Sequence, residues 1–161
     1  MSTVSREDFK RAMGSFGAGV TVVTTSDAGG RLFGMTATAF SSLSLEPPLC
    51  LVCVDHRAAC HAAIEASRRF AVNLLAQEQR ELSNRFASRL EDKFDGVAYC
   101  LGDATGCPLL EGALASVECE LHEVLAGGDH SIFVGRVVRA AAHEGAPLVH
   151  WRGNYVRVVQ D

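Results

Sequence analysis

Gly34-Met-Thr-Ala-Thr-Ala-Phe-Ser-Ser-Leu-Ser44, closed by Glu46-Pro-Pro48, is the stretch on which the fold turns. In an extended strand, side chains alternate between two faces. Gly34, Thr36, Thr38, Phe40 and Ser42 then share one face, and Met35, Ala37, Ala39, Ser41 and Leu43 the other. The first face is small and hydroxyl-bearing, so a flat ring system with phosphate oxygens fits along it. The second is mostly apolar. Periodicity alone favours a Thr/Ser-rich strand that packs its small side chains and binds nothing. Other segments therefore have to decide.

On the N-terminal side, Val20 to Thr25 is rich in β-branched residues and predicts a strand. Asp27-Ala-Gly-Gly30 is a turn signal, so this strand and the Thr/Ser stretch form a hairpin. Further upstream, Ser5-Arg-Glu-Asp8 reads as a capping box, and Phe9, Met13 and Phe16 give a short helix one apolar stripe. On the C-terminal side, Pro47-Pro48 breaks the chain before an apolar strand, Leu49 to Val54. Asp55 can cap the Ala-rich helix predicted over 58–66. Phe70 to Leu75 is a strand, and Gln77 to Ser88 is a helix with Leu82 and Phe86 on its inner side. Leu90 to Gly96 and Gly102 to Gly106 are loops. Ala113 to Leu121 alternates, with Ala113, Ala115, Val117, Cys119 and Leu121 facing in and Ser116, Glu118, Glu120 and His122 facing out. Gly127-Gly-Asp129 turns the chain into a long strand, Ser131 to Ala141, and Leu148–Trp151 and Tyr155–Val159 close it. About eight strands and three short helices with antiparallel turns predict a mainly β protein: a closed or nearly closed β-barrel with helices at its edge.

At 161 residues the chain reads as a single domain, residues 1–161. Its 48% hydrophobic and 21% charged residues suit a soluble globular protein. The net charge of −4 and the lack of a basic run exclude nucleic acid as a partner. No apolar stretch is long enough to cross a bilayer, so no membrane association is expected. The polar Met1 to Asp8 segment lacks the apolar core of a signal peptide, which predicts a cytoplasmic protein with free thiols. Cys50 and Cys53 are spaced like a redox or zinc pair, but residues three apart on a strand point to opposite faces. No metal site is expected.

There is no GxGxxG after a strand, no GxxxxGK[ST] and no GxSxG elbow. Any bound nucleotide must be held by the sheet and its loops. Four segments carry the chemistry. The first is Thr36 to Ser44. The second is Asp55-His-Arg-Ala58, where a cation meets a helix N-terminus and an anion is favoured. The third runs from Phe86 to Lys93, with Arg85, Arg89 and Lys93 around an aromatic. The fourth is Gly127-Gly-Asp-His130, where glycines beside a histidine let a ligand approach the backbone. Taken singly, a solvated arginine, a wet basic helix face and a structural histidine explain them better; their combination is what points to a site.

With these segments in one order, the chain resembles the short-chain NAD(P)H:flavin oxidoreductases, the reductase halves of two-component flavin monooxygenases. The resemblance rests on Phe16-Gly-Ala-Gly-Val-Thr-Val-Val-Thr24, the Gly34–Ser44 stretch with Pro47-Pro48, and Phe70-Ala-Val-Asn-Leu-Leu75. It continues through Arg85-Phe86, Asp92-Lys-Phe94, Gly112-Ala-Leu-Ala-Ser-Val-Glu-Cys119, Gly128-Asp-His130 and Trp151-Arg-Gly-Asn-Tyr155. It implies an FMN-binding split β-barrel that forms a homodimer and passes reduced FMN or FAD to a separate monooxygenase, with NADH or NADPH as hydride donor. It implies that Thr36, Ala37 and Thr38 line the flavin ring and that Ser41 and Ser42 hold the ribityl-phosphate end. Asp55, His56, Arg57 and Ala58 continue that cradle, and Phe86 and Lys93 approach the flavin tail. His130, the catalytic position, and the Arg152–Tyr155 loop sit on the nicotinamide side. Many relatives carry Ser and Thr where this chain has Ala58 and Cys60, which leaves FMN against FAD open. No arginine cluster for a 2′-phosphate is evident, which favours NADH. The alternative is a tight FMN-binding electron carrier or sensor that does not turn over NADH. An oxidase of the pyridoxamine-phosphate type is a third reading, without the cation cluster it would need.

Overall fold

The computed structural model describes residues 3–160. Along the chain the elements are α1 (Arg6–Gly14), β1 (Ala18–Gly19), β2 (Thr21–Ser26), β3 (Leu32–Ala37), β4 (Phe40–Ser44), β5 (Leu49–Asp55), α2 (Ala59–Ser67), β6 (Arg69–Leu74), α3 (Arg80–Ala87), β7 (Tyr99–Leu101), β8 (Pro108–Leu110), β9 (Ala115–Gly127), β10 (His130–Ala142), β11 (Val149–Trp151) and β12 (Asn154–Val156). The protein is mainly β, as the turn pattern predicts. The main sheet has seven strands in the order β3-β2-β6-β9-β10-β5-β4, with every neighbour antiparallel. A three-stranded sheet (β1-β11-β12) and a hairpin (β7-β8) flank it.

The expected hairpin is present, with Thr21 opposite Ala37 and Ser26 opposite Leu32. The Gly34–Ser44 stretch, however, is not one strand. It breaks at Thr38–Ala39, where the Phe40 N–H donates to the Thr38 carbonyl at 3.0 Å. The Ala39 carbonyl instead accepts from Cys53 N at 2.9 Å. The single alternating face expected from 34 to 44 therefore does not exist; β3 and β4 belong to opposite edges of the main sheet. This break determines the architecture. Six spacings of about 4.8 Å would hold the edges of a flat seven-stranded sheet about 29 Å apart. The three Cα steps from Ala37 to Phe40 reach about 11 Å at most. The sheet is therefore rolled until its two edges meet at Thr38–Ala39.

The concave side of the roll is filled by Val23, Val52, Val54, Ile64, Phe70, Val72 and Phe133, all fully buried. Gly135 makes room at its centre: a Cβ there would stand 2.5 Å from Phe70 Cζ and 2.8 Å from Cys119 Cβ. The Cys50 and Cys119 thiols meet beside this glycine at 3.5 Å. Cys50 and Cys53 do lie on opposite faces of β5, Cys50 being buried and Cys53 half-buried. A second cluster, with Val20, Val22, Leu75 and Phe86 at its centre, packs α3 against β2 and β3.

Several boundaries differ from expectation. α3 begins at Arg80 rather than Gln77, because Gln79 Oε1 accepts from Ala76 N at 2.9 Å and closes a turn first. β1, β7 and β8, each only two or three residues, have too short a run to show a period. Ser5 caps α1 as expected, accepting from Asp8 N at 3.0 Å. Yet the apolar stripe of α1 is exposed, with Phe9 at 54%, Met13 at 57% and Phe16 at 78%. Glu118, expected to face water, is 2% exposed. The connection from β7 to β8 covers that face, and Glu118 Oε2 accepts from Ala104 N, Thr105 N and Thr105 Oγ1 at 3.1, 2.8 and 2.8 Å. No helix among the described residues is long and apolar enough to cross a membrane.

Candidate functional site

The rolled sheet brings the predicted residues into three groups. The first surrounds a cavity of about 240 Å³ between β3, the start of α2 and the 90–94 segment. Its floor is the backbone of Gly34. Lys93 Nζ donates to the Gly34 carbonyl at 3.2 Å and to the Phe86 carbonyl at 2.8 Å. An ammonium has three N–H donors, so one is left for the cavity. Burial holds Lys93 below its ordinary pKa. Opposite it, α2 starts at Ala58 with no side-chain cap and no acidic residue in its first turn. The positive end of the helix thus faces the same space, with Glu91 the one carboxylate in the lining. Asp55 does not cap this helix as expected; it caps the turn before it. Cys60, also lining the cavity, is buried and its thiol is pushed up to about 12, so it stays neutral. Arg85 does not line this cavity. Its guanidinium clamps the loop through the carbonyls of Lys93 and Asp95 at 2.7 and 2.6 Å. Phe86 is fully buried beneath Gly34, in the core beneath the cavity.

The second group joins two distant parts of the sequence. His130 at the start of β10 lies opposite Asp55 at the end of β5. His56 N donates to the Asp129 carbonyl at 3.1 Å. Asp55, His56, Arg57, Ala58 and His130 are therefore brought together. Their charges are already matched. Asp55 takes Arg57 N at 2.8 Å, Nε at 3.1 Å and Nη2 at 2.7 Å. The arginine holds the Asp55 carboxyl well below the usual carboxylate range. Asp129 Oδ1 lies 2.7 Å from His130 Nδ1, which also lowers the Asp129 carboxyl. Arg57 is therefore paired with Asp55, though its side chain remains exposed.

The third group lies along α3. Thr36 Oγ1 donates to the Ser83 carbonyl at 2.6 Å. Ser83 Oγ meets Tyr155 OH at 2.8 Å, Tyr155 OH donates to Asn84 Oδ1 at 2.8 Å, and Arg80 stands over the Tyr155 ring at 5.1 Å. Arg152 turns the β11–β12 hairpin at φ +49°, ties its N–H to the Gly14 carbonyl and lays its guanidinium over Trp151 at 4.7 Å. Among the described residues, no hydrogen bond or ion pair links His130 to Arg152 or Tyr155. Thr38, Ser41 and Ser42 are exposed where the sheet edges meet, and Ala37 is buried in the core. The Ser83–Tyr155 link escaped the sequence because Ser83 stands in no motif, although Tyr155 does.

A larger hollow of about 750 Å³ lies between the β7–β8 hairpin and the outer halves of β9 and β10. None of the sequence-derived site residues lines it. Among the described residues, no group of three or more His, Cys, Asp or Glu side chains is placed to hold a metal ion.

The fold is shared with known proteins. Residues 13–158 match the model of the flavin reductase like domain. A probable flavin reductase of Rhizobium meliloti (strain 1021) is 41% identical over 89% of this chain, which spans only about half, 46%, of that relative's length. The reductase subunit HsaB of a flavin-dependent monooxygenase from Rhodococcus jostii (strain RHA1) is 42% identical over 95% of this chain and 78% of its own. Among solved structures, the Streptomyces globisporus C-1027 NADH:FAD oxidoreductase SgcE6, in complex with NAD and FAD fragments, superposes with a TM-score of 0.92 at 38% identity. That match covers 100% of this chain and 99% of the other. On its fold, on the order of its site segments and on a family match over nearly its whole length, the chain belongs to the flavin reductase like domain family.

Proposed function

We propose that this protein is an NADH:flavin oxidoreductase that reduces FAD or FMN and supplies it to a separate flavin-dependent monooxygenase, acting as a homodimer. The observation that carries this is the first cavity: a partly buried ammonium with one N–H left over, facing an uncapped helix N-terminus across a glycine-floored gap. That donor set fits the phosphate-bearing tail of a flavin. At about 240 Å³ the cavity takes the tail and not the ring system. The exposed Thr38, Ser41 and Ser42, where the sheet edges meet, are left for the ring and the ribityl chain.

A bound flavin would supply the hydride acceptor and a nicotinamide the donor, and that chemistry belongs to the cofactors. The chain's residues bind and orient. Lys93 and the first turn of α2 hold the anionic tail. His130, with Nδ1 fixed by Asp129, positions the nicotinamide side and needs no proton transfer of its own. Arg57 is the single guanidinium of this group and is paired with Asp55, so no arginine cluster awaits a 2′-phosphate, which favours NADH over NADPH. The homodimer is supported by α1, which buries none of its own residues and leaves Phe9 and Met13 bare.

The test is direct. Purified protein mixed with NADH and catalytic FAD or FMN is expected to oxidise NADH, read as loss of the nicotinamide absorbance. His130→Ala is expected to raise the KM for NADH about fivefold, the size of one lost hydrogen bond, with flavin affinity unchanged. Unchanged NADH parameters would remove His130 from the site. Tight flavin binding without NADH oxidation would make the protein a flavin carrier instead.

A further inference from the structure

Beside the second group lies a polar chain that the proposed mechanism does not use. Ser131 is buried in β10, next to His130 and opposite Val54. Its hydroxyl is touched by two imidazoles, His61 Nε2 at 2.8 Å and His56 Nε2 at 3.2 Å. The two rings stand edge to face with centroids 5.1 Å apart, and His61 rests against Phe133 in the core. Glu65, one turn along α2, places Oε2 3.6 Å from His61 Nδ1.

A hydroxyl donates one proton and accepts at two lone pairs. Both imidazole nitrogens cannot therefore be acceptors of the same Ser131 proton; one ring must bring an N–H. The Glu65 carboxylate favours the proton of His61 on Nδ1, which leaves His61 Nε2 bare. Ser131 O–H then donates along the shorter contact to His61 Nε2. The oxygen accepts the Nε2–H of His56 along the longer one. His56 is left with a lone pair on Nδ1.

We propose that Glu65, His61 and Ser131 act as positioning residues that fix His56 in the Nε2–H tautomer, so that its Nδ1 meets the bound cofactors as a hydrogen-bond acceptor. The functional half of this proposal rests on the reductase reading above. An acceptor nitrogen repels a phosphate oxygen and takes an N–H instead, such as the flavin imide N3–H or the nicotinamide carboxamide. This reassigns His56. The resemblance puts it in the phosphate cradle, whereas an acceptor nitrogen suits the ring or amide end of a cofactor.

Nitrogen-15 imidazole shifts of the full chain, followed across a pH series, test the tautomer without any cofactor. His56 is expected to read as Nε2–H and His61 as Nδ1–H. Ser131→Ala should move His56 to a mixed tautomer, and Ser131→Thr, which keeps the hydroxyl, should restore it. Glu65→Gln, at a half-exposed side chain, should shift His61 without endangering the fold. In the assay, Ser131→Ala should raise the KM for NADH or the Kd for flavin about threefold to tenfold with little change in kcat. The 3-acetylpyridine analogue of NADH lacks the amide N–H. If the Ser131→Ala defect vanishes with it, the donor is the carboxamide; if the defect lies in flavin Kd, the donor is the flavin. His56 as Nδ1–H in the unsubstituted protein, or an unmoved tautomer in an active Ser131→Ala variant, would overturn the chain alone. Failure of the unsubstituted protein to oxidise NADH would instead overturn the reductase reading, and with it the role given to His56.

Discussion

Gly34→Ala is expected to lower stability by about 2–3 kcal/mol, the cost of overpacking a filled core. A Cβ at this position would stand 2.6 Å from Phe86 Cδ1, closer still to Phe86 Cε1, and 3.2 Å from Phe94 Cζ. Neither ring can swing away. Phe86 is fully buried, Phe94 nearly so, and the two are locked edge to face with centroids 5.0 Å apart. The backbone must therefore give way, and that backbone is the floor of the candidate phosphate cavity. The melting temperature should fall by about 5–10 °C for a chain of this size. The Gly34 carbonyl also accepts from Lys93 Nζ, so flavin affinity should drop in the same variant. Gly19→Ala is the control. Nothing lies within 4 Å of a Cβ built there, and its effect should stay within about 0.5 kcal/mol. Denaturant midpoints at constant m-value measure both. A Gly34→Ala protein as stable as the parent would mean that the rings are free to move, and the cavity floor would not be rigid.

The hairpin of β2 and β3, the three helices and the long β9–β10 pair were legible because each is long enough to show a period and is bounded by a turn signal. The break at Thr38–Ala39 was not. Thr, Ala, Phe and Ser all fit an extended strand, and nothing local distinguishes a strand that continues from one that crosses to the far edge of a sheet. What decides it is non-local: Cys53, fourteen residues on, takes the Ala39 carbonyl. Glu118 failed for a similar reason. Alternation put it in water correctly as to face, but the β7–β8 connection covers that face and supplies three donors to its carboxylate. α1 shows the opposite case. Its stripe is real, yet within one copy nothing covers it, and no sequence period says whether a partner does.

The site was legible as a set of segments and less so as a set of roles. The meeting of Asp55–Ala58 with His130 follows from strand ends that the turns already marked. The state of Arg57 does not, because a cation two residues from an aspartate can reach water, a phosphate or that aspartate. The chain chose the aspartate in a three-bond fork. Lys93 was named from its segment, beside Arg85 and Arg89, but only the resemblance gave it the flavin tail; by itself it looked like one of several wet basic residues. Its distinction is desolvation, which no composition reveals.

That distinction gives the second large effect. Lys93→Met is expected to weaken FAD and FMN about 10-fold to 100-fold, the worth of one charge-assisted hydrogen bond in a partly dry site. Riboflavin, which lacks the phosphate, should lose less than about threefold. The pH dependence has a definite sign. The anion needs the charged ammonium, so phosphate-dependent affinity is fully present below the folded pKa of Lys93 and is lost as pH rises through it. Burial places that pKa below the ordinary lysine value of about 10.4, so the loss should begin earlier than for an exposed lysine. Stability moves the other way, since burial penalises the ammonium: between the folded and unfolded pKa values the protein gains stability as pH rises. Opposite slopes for affinity and stability in the same pH window would single out Lys93 among the basic residues. Equal losses of FMN and riboflavin in Lys93→Met would mean that the lysine only props up the Gly34 and Phe86 carbonyls, and the phosphate would have to be sought elsewhere on the rolled sheet.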